Sequence, residues 1–238
     1  MSSTLSIIGT PIGNLEDITL RALKVLASSD LVLCEDTRMT KRLFDRHNIK
    51  VPTKSYHMHS KISRVDEIIT LLKEGKHISL VSDAGTPGIS DPGAELVSRI
   101  RKECAQEIMS GKLKIEAIPG PSALTSALSI AGVQCADFTF LGFLPHKKGR
   151  ETLFKEITDS ERTMVFYESP HRIMKTLDSL VEHFNSPKEF VARKVTICRE
   201  LTKIFEEVVA GTAVEVKKYF EEHSDKVKGE FVVIVCRE

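Results

Sequence analysis

Two α/β domains, the first on a mainly parallel sheet and the second on a mixed one, are the fold class this sequence predicts. Three observations predict it. Through residue 118, short apolar runs alternate with segments of helical periodicity, the pattern of parallel strands joined by crossover helices. Beyond Asp137 the strand-like runs lie closer together, some without room for a crossover helix, so strands there must pair antiparallel. Between the two patterns stands Pro119-Gly120-Pro121, where proline disfavours helix in the residue before it. We therefore expect domains over 1–118 and 122–238, with a hinge at 119–121. A length of 238 residues, 41% of them hydrophobic, supports one or two domains with real cores.

Leu5 to Ile8 reads as a short apolar strand that ends in G-T-P-I-G-N, Gly9 to Asn14. Asn14 is placed to cap the next helix, with Asp17 in its first turn and Ile18, Ala22, Val25 and Leu26 at helical spacing. Asp30 to Cys34 reads as a buried strand running into the charged Glu35-Asp36-Thr37-Arg38. Ser63 is expected to cap a helix carrying Val65, Ile68, Ile69 and Leu72, with Asp66 three residues on and Gly75 closing it. His77 to Val81 is the next strand, and it empties into S-D-A-G-T-P-G-I-S-D-P-G, Ser82 to Gly93. Asp91-Pro92 there is the expected opening of a helix with Leu96, Val97 and Ile100. Gly111 leads to a strand over Leu113 to Ile118, and Ser122 caps the helix past the hinge. In the second half, Phe138–Phe143, Thr163–Tyr167 and residues 190–198, 203–209 and 231–236 are strand-like, with two helical segments among them.

In open α/β sheets, ligands sit beyond the carboxyl ends of strands, where glycine lets backbone approach closely and helix N-termini offer N–H groups. The loop 82–93 is thus expected to form one wall of a binding site, with a second strand-to-loop corner at Gly9 to Asn14. Neither corner has the G-x-x-x-x-G-K-[ST] of a P-loop, and G-T-P-I-G-N does not match G-x-G-x-x-G. What remains is a small ligand held largely by backbone, in a cleft between two α/β halves. A formal charge of +1 with 28% charged residues offers no electrostatic argument for nucleic acid.

Cys34, Cys104, Cys135, Cys198 and Cys236 are scattered, without a C-x-x-C pair, and read as buried, reduced thiols. No apolar run approaches the roughly 20 residues of a membrane span, and no leader pattern opens the chain, so a cytoplasmic protein is expected. His57 and His59 would share a strand face but lack a third ligand, and no metal is predicted. Lys147, Lys148 and Arg150 read as a small basic turn, of a kind that is usually solvated surface and only occasionally a phosphate contact. For Glu35, Asp36 and Arg38 a salt-bridged turn and a functional site both remain open. Glu168 and Glu200 have Arg172 and Lys203 at hand as ion-pair partners.

Taken in order, G-T-P-I-G-N-L-E-D-I-T-L-R-A-L, C-E-D-T-R, S-D-A-G-T-P-G-I-S-D-P-G, I-P-G-P-S-A, F-L-G-F-L-P, F-Y-E-S-P-H-R, R-E-L-T-K and the closing G-E-F-V-V-I-V cover nearly the whole chain. Together they resemble the ribosomal RNA small subunit methyltransferase I family, of the tetrapyrrole methylase fold (class III methyltransferases). The resemblance implies two α/β domains that hold S-adenosylmethionine in the cleft between them, usually as a homodimer. The activity it implies is 2'-O-methylation of a cytidine ribose in the decoding region of 16S rRNA, within the small ribosomal subunit.

Carried over by position, the cofactor-lining residues are Ile12, then Asp83, Gly85, Thr86 and Pro87, then Ser122 and Ala123. From the second domain they are Phe166, Tyr167, Leu201, Gly229 and Glu230. Groups for the transfer itself cluster in three words: Glu35, Asp36 and Arg38; Glu168, His171 and Arg172; Arg199, Glu200 and Lys203. Glu200 or His171 is expected to take the proton, with Arg38, Arg172 or Lys203 placing the RNA. Two departures from the family pattern stand out. The usual H-E-H-N is H-M-H-S at His57 to Ser60, and the helical extension that many members carry does not follow Cys236-Arg237-Glu238. Alternatives are a methyltransferase acting on carbon of a tetrapyrrole precursor, and a non-catalytic ribosome-assembly module.

Overall fold

The computed structural model describes residues 2–57, 62–184 and 192–237. The chain divides into two compact units, Met1–Ser122 and Ala123–Glu238. In the first, strands β1 (Ser3–Ile8), β2 (Leu31–Cys34), β3 (Thr53–Ser55), β4 (His77–Leu80) and β5 (Leu113–Ile118) form a sheet of order β3-β2-β4-β1-β5, parallel throughout. The connecting helices are α1 (Leu20–Ser28), α2 (Thr37–His47), α3 (Ile62–Lys73), α4 (Gly93–Glu103) and the short α5 (Ala105–Met109).

Both faces of this sheet are buried, as a parallel sheet requires. Leu5, Leu33, Ile78, Leu80 and Leu113 pack against Ile68 and Leu72 of α3 and Leu96 and Ile100 of α4. On the other face Ile8, Val32, Cys34 and Ile118 meet Ala22 and Leu26 of α1 and Leu43 and Phe44 of α2. The chain leaves β1 in one direction toward β2 and leaves β4 in the other toward β5, so the topological switch lies at the carboxyl ends of β1 and β4. Those are the two ends that carry the G-T-P corners.

Several boundaries differ from the predicted ones. Asn14 caps only a single 3-10 turn, Leu15–Asp17, accepting from the Glu16 N–H at 3.1 Å. Ile18 and Thr19 are extended, and Thr19 is the residue that caps α1, accepting from the Ala22 N–H at 3.0 Å. Ser63 lies within α3, and Asp66 is committed to Arg99 at 3.1 Å instead of a capping box. α4 opens one residue later than expected, with Pro92 in place of Asp91 at the cap position, and the Asp91 carboxylate takes the N–H of Gly93 at 2.7 Å and folds back to that of Gly88 at 2.8 Å. Gly75, at φ +88°, closes α3 as predicted.

In the second unit, α6 (Ala123–Ile130) precedes β6 (Phe138–Phe143), α7 (Arg150–Asp159), β7 (Thr163–Glu168), α8 (Ile173–Phe184), β8 (Arg193–Arg199), β9 (Glu207–Gly211), α9 (Ala213–Glu222) and β10 (Phe231–Arg237). The sheet order is β6-β7-β10-β8-β9, with β6 and β7 parallel and the other pairs antiparallel, a mixed sheet as expected. Among the described residues three helices rather than two lie between the strands, and α7, α8 and α9 cover one face through Phe154, Leu177 and Phe220. The ladder between β8 and β9 begins only at Glu207, since Ile204 and Phe205 sit in the exposed turn before it. In β6, Gly142 at φ +64° absorbs a register shift that brings Phe143 opposite Tyr167.

Gly9 and Gly120 pack backbone to backbone. A Cβ on Gly120 would stand 2.6 Å from the Gly9 carbonyl oxygen, and one on Gly9 would stand 2.8 Å from the Gly120 Cα. Neither obstacle is a flexible side chain that can step aside. Gly120→Ala is expected to lower the unfolding free energy by about 1–3 kcal/mol, measured by urea denaturation; an unchanged midpoint would show that the two loops do not meet this closely.

Candidate functional site

At the carboxyl ends of β1, β4 and β5, three loops are stitched together by main-chain bonds. Thr10 and Gly85 exchange both of theirs, N–H to O at 2.9 Å and 3.1 Å, forming an isolated antiparallel bridge. Gly85 is left-handed at φ +78°, and a Cβ there would reach Ile12 Cγ2 at 3.4 Å. The Thr86 hydroxyl donates to the Pro121 carbonyl at 3.3 Å. Ile12, Gly85 and Thr86, predicted from separate words, therefore share one corner, with Ser122 directly after Pro121. Pro87 lines an open pocket of about 430 Å³ with Ile7, Gly93, Val97 and Arg101.

The charged end of β2 joins the same edge. The Asp36 N–H donates to Asp83 Oδ1 at 2.9 Å, and the Asp83 N–H donates to Glu35 Oε1 at 3.3 Å. Burial pushes the Glu35 carboxyl up, opposed by that N–H and reinforced by the Asp83 charge. Asp36 is also the cap of α2, accepting from the Arg38 N–H at 2.8 Å while the Arg38 guanidinium grips it at 2.6 Å. These bonds hold the Asp36 carboxyl at about 2. Arg38, expected to place RNA, is thus turned onto Asp36, although its side chain stays largely exposed.

The second unit gathers its predicted residues at one end of its sheet. Phe231, which opens β10, pairs with Glu168 at the end of β7 and with Arg199 at the end of β8. The R-E-L-T-K turn follows β8 and is held in a strained form, with Glu200 at φ +51° and Thr202 at φ +65°. Glu200 Oε1 accepts from the Glu230 N–H at 3.0 Å and from Lys203 Nζ at 2.7 Å, and Lys203 also reaches Glu230 Oε2 at 2.9 Å. A Cβ on Gly229, itself at φ +87°, would collide with the Glu200 carboxylate.

Burial opposes the Glu200 charge, but the Lys203 and Glu230 bonds outweigh it and lower its pKa. Burial likewise opposes the charge on Lys203, and its two carboxylate partners outweigh that and raise its pKa. Both residues are therefore ionised and mutually engaged, so Glu200 is a weak proton acceptor.

Phe166 is fully buried in the core against the helices, so only its main chain can meet a ligand. Tyr167 points to the opposite face, edge-on to Phe140 at 4.9 Å and to Phe143 at 5.5 Å, with its hydroxyl pKa raised by burial. Leu201 is buried and His171 is exposed.

Glu168 is buried, with Arg172 at 2.8 Å, Thr176 Oγ1 donating at 2.7 Å and Arg150 at 3.9 Å. Arg150 is therefore not part of a solvated turn. Its guanidinium reaches inward to Thr176 Oγ1 at 2.8 Å, where burial lowers its pKa.

Cys34, Cys104, Cys198 and Cys236 are buried, Cys135 is half-buried, and all are free thiols. Burial pushes Cys198 up to about 11. His59 and Ser60 lie outside the described residues, among which no group of His, Cys, Asp and Glu could hold a metal ion.

The family model of the tetrapyrrole (corrin/porphyrin) methylases matches residues 4–217. The ribosomal RNA small subunit methyltransferase I of Thermotoga maritima is 44% identical over 231 residues, covering 97% of both chains. The chain belongs to the ribosomal RNA small subunit methyltransferase I family, within the tetrapyrrole methylases. The family's member from Halalkalibacterium halodurans is 42% identical, over 98% of this chain and 75% of its own. Among solved structures, the methyltransferase CobJ has a TM-score of 0.65 at 18% identity, covering 99% of this chain and 94% of its own. The uroporphyrin-III-C-methyltransferase of Thermus thermophilus has a TM-score of 0.61 at 17% identity, covering 98% and 94%. At that distance they show the fold that the family shares.

Two outcomes are expected from this geometry. A carboxyl held below the usual range adds stability above a pH of about 4, lost as pH falls toward the folded value. Asp36 should accordingly titrate near 2 in a carbon-detected NMR titration, and Arg38→Ala should move it upward; an ordinary value in the wild type would break the grip described. Glu168→Ala strands two guanidiniums and is expected to cost about 3–5 kcal/mol in chemical denaturation, with a cost under 1 kcal/mol ruling out the buried pair.

Proposed function

We propose that this chain transfers a methyl group from S-adenosylmethionine to the ribose 2'-oxygen of a cytidine in the decoding region of 16S rRNA, acting on the small ribosomal subunit as a homodimer. The observation that carries the reading is membership of the methyltransferase family over nearly the whole chain, with seven of the family words at or next to the carboxyl ends of strands and the eighth, Gly229-Glu230, at the amino end of β10 beside the carboxyl ends of β7 and β8. The corner of the first unit fits the cofactor's chemistry. Gly85, left-handed and bonded to Thr10, permits close approach of backbone, and Glu35, Asp83 and Asp36 supply acceptors and negative charge for a cationic ligand with hydroxyl groups. We assign Ile12, Asp83, Gly85, Thr86, Pro87, Ser122 and Ala123 to it. Tyr167, Leu201, Gly229 and Glu230 are proposed as further contacts, and Phe166 through its main chain alone.

When bound, the cofactor supplies an electrophilic methyl on sulfonium. The chain's task is then to aim the ribose hydroxyl in line and to accept its proton. Of the two expected bases, Glu200 is committed to Lys203 and the Glu230 N–H, whereas His171 is exposed at the same end of the sheet. We assign proton removal to His171. Glu200 and Lys203, paired with each other and with Glu230, are assigned to holding the strained turn.

Labelled methyl from S-adenosylmethionine should enter small subunits from cells lacking the modification, and mass spectrometry of digested rRNA should find it on a cytidine ribose. Acceptance by a tetrapyrrole precursor instead would replace the substrate, and acceptance by neither would favour an assembly module. His171→Ala is expected to slow single-turnover transfer roughly 10²-fold or more at unchanged cofactor affinity. Wild-type rates in both His171→Ala and Glu200→Ala would remove general-base catalysis from this rim.

A further inference from the structure

Building on that reading, we infer that the turn His146-Lys147-Lys148, between β6 and α7, is a contact surface for the phosphate backbone of the substrate RNA, braced from beneath by the buried Glu168 cluster. Lys147 and Lys148 are adjacent and exposed, and neither makes an ion pair among the described residues. By contrast Arg162, Arg199, Lys203, Lys217 and Lys226 of the same unit each lie within reach of a carboxylate. With a formal charge of only +1 the chain has no broad positive field, so an RNA ligand needs local cations that are not already neutralised.

The turn is also unusually well fastened for an exposed one. The Arg172 guanidinium donates to the Leu144 carbonyl at 2.7 Å, that of Arg150 donates to the Pro145 carbonyl at 3.4 Å, and the Arg150 N–H donates to the Lys147 carbonyl at 3.2 Å. Both guanidiniums are anchored in turn on Glu168. Burying two cations against one carboxylate contributes little net stability. What the arrangement supplies is a turn whose ordering cost is met in folding rather than in binding, above a cluster that carries one excess positive charge.

Place and neighbours favour RNA over an acidic protein. β6 and β7 are parallel, so the turn leaves the same end of the sheet as Glu168 and His171. Phe143, three residues before His146, is 54% exposed at the end of β6. An exposed aromatic beside unpaired lysines suits a single-stranded nucleic acid, which stacks its bases and presents phosphates.

The test is equilibrium binding of the full chain to 16S rRNA and to small subunits by filter retention, across a salt series. Lys147→Ala/Lys148→Ala is expected to weaken binding roughly tenfold at moderate salt and to flatten the log–log salt slope by about one per lysine. Arg162→Ala, at the other end of β7, removes a cation that is already paired and should change neither. Arg172→Lys keeps the charge but loses the hold on the Leu144 carbonyl; it should weaken binding, and less so in the lysine double variant. An unaltered slope in the lysine variant, or an equal effect of Arg162→Ala, would overturn the surface; additive effects of Arg172→Lys would overturn the bracing. Binding requires no turnover, so a wild-type chain that binds with these slopes yet transfers no methyl would sink the proposed function alone.

Discussion

The first unit depends on one steric fact: the loops leaving β1 and β5 touch through their backbones. Gly9 and Gly120 leave no room for a Cβ between them, and that contact positions the residues on either side. Thr10 can then exchange two main-chain bonds with Gly85, and Thr86 can reach Pro121. Loops from β1, β4 and β5 become one surface made mostly of peptide groups. Such a surface presents donors and acceptors at fixed positions without the entropy of long side chains. It suits a ligand recognised by shape.

The second unit uses the opposite device. Its rim is organised by charged side chains committed to one another: Glu200 with Lys203 and Glu230, and Glu168 with Arg150 and Arg172. Gly229 is needed because the Glu200 carboxylate occupies the space where a Cβ would lie. Here the strained turn at Glu200 and Thr202 is held by ion pairs together with main-chain bonds, the Glu200 N–H to the Glu230 carbonyl at 3.0 Å among them. The first unit thus presents a rigid peptide corner, and the second a network of paired charges.

Much of this was legible in the sequence, because glycine and proline mark the ends of strands. β1, β4 and β5 and the loop 82–93 follow directly from apolar runs that stop at G-T-P or P-G-P. What escaped was decided by partners distant in sequence. The helix α2 hides in T-R-M-T-K-R-L-F-D-R-H, where only Thr40, Leu43 and Phe44 are buried and charge dominates the rest. Asn14 and Thr19 are both good caps, and local chemistry does not choose between them. Arg150 reads as surface beside two lysines, and only the fold brings Glu168 and Thr176 beneath it. Mutual engagement of Glu200 and Lys203 was foreseeable from their spacing, but the third partner, Glu230, comes from the start of another strand.

The order in which the strands of the second sheet are made differs from the order in which they lie. β10, the last in sequence, occupies the centre, between β7 and β8. As a chain emerges from the ribosome, the first unit has all five of its strands in hand once Ile118 has cleared, whereas the second must wait with its middle missing. Until Phe231–Arg237 arrive, β7 and β8 each present an unpaired edge of residues that are mostly buried in the folded unit, the kind of edge that recruits a foreign strand. A truncation that spared every proposed site residue but removed this strand would therefore fail through aggregation of half a molecule, beside a first unit able to fold around its own core.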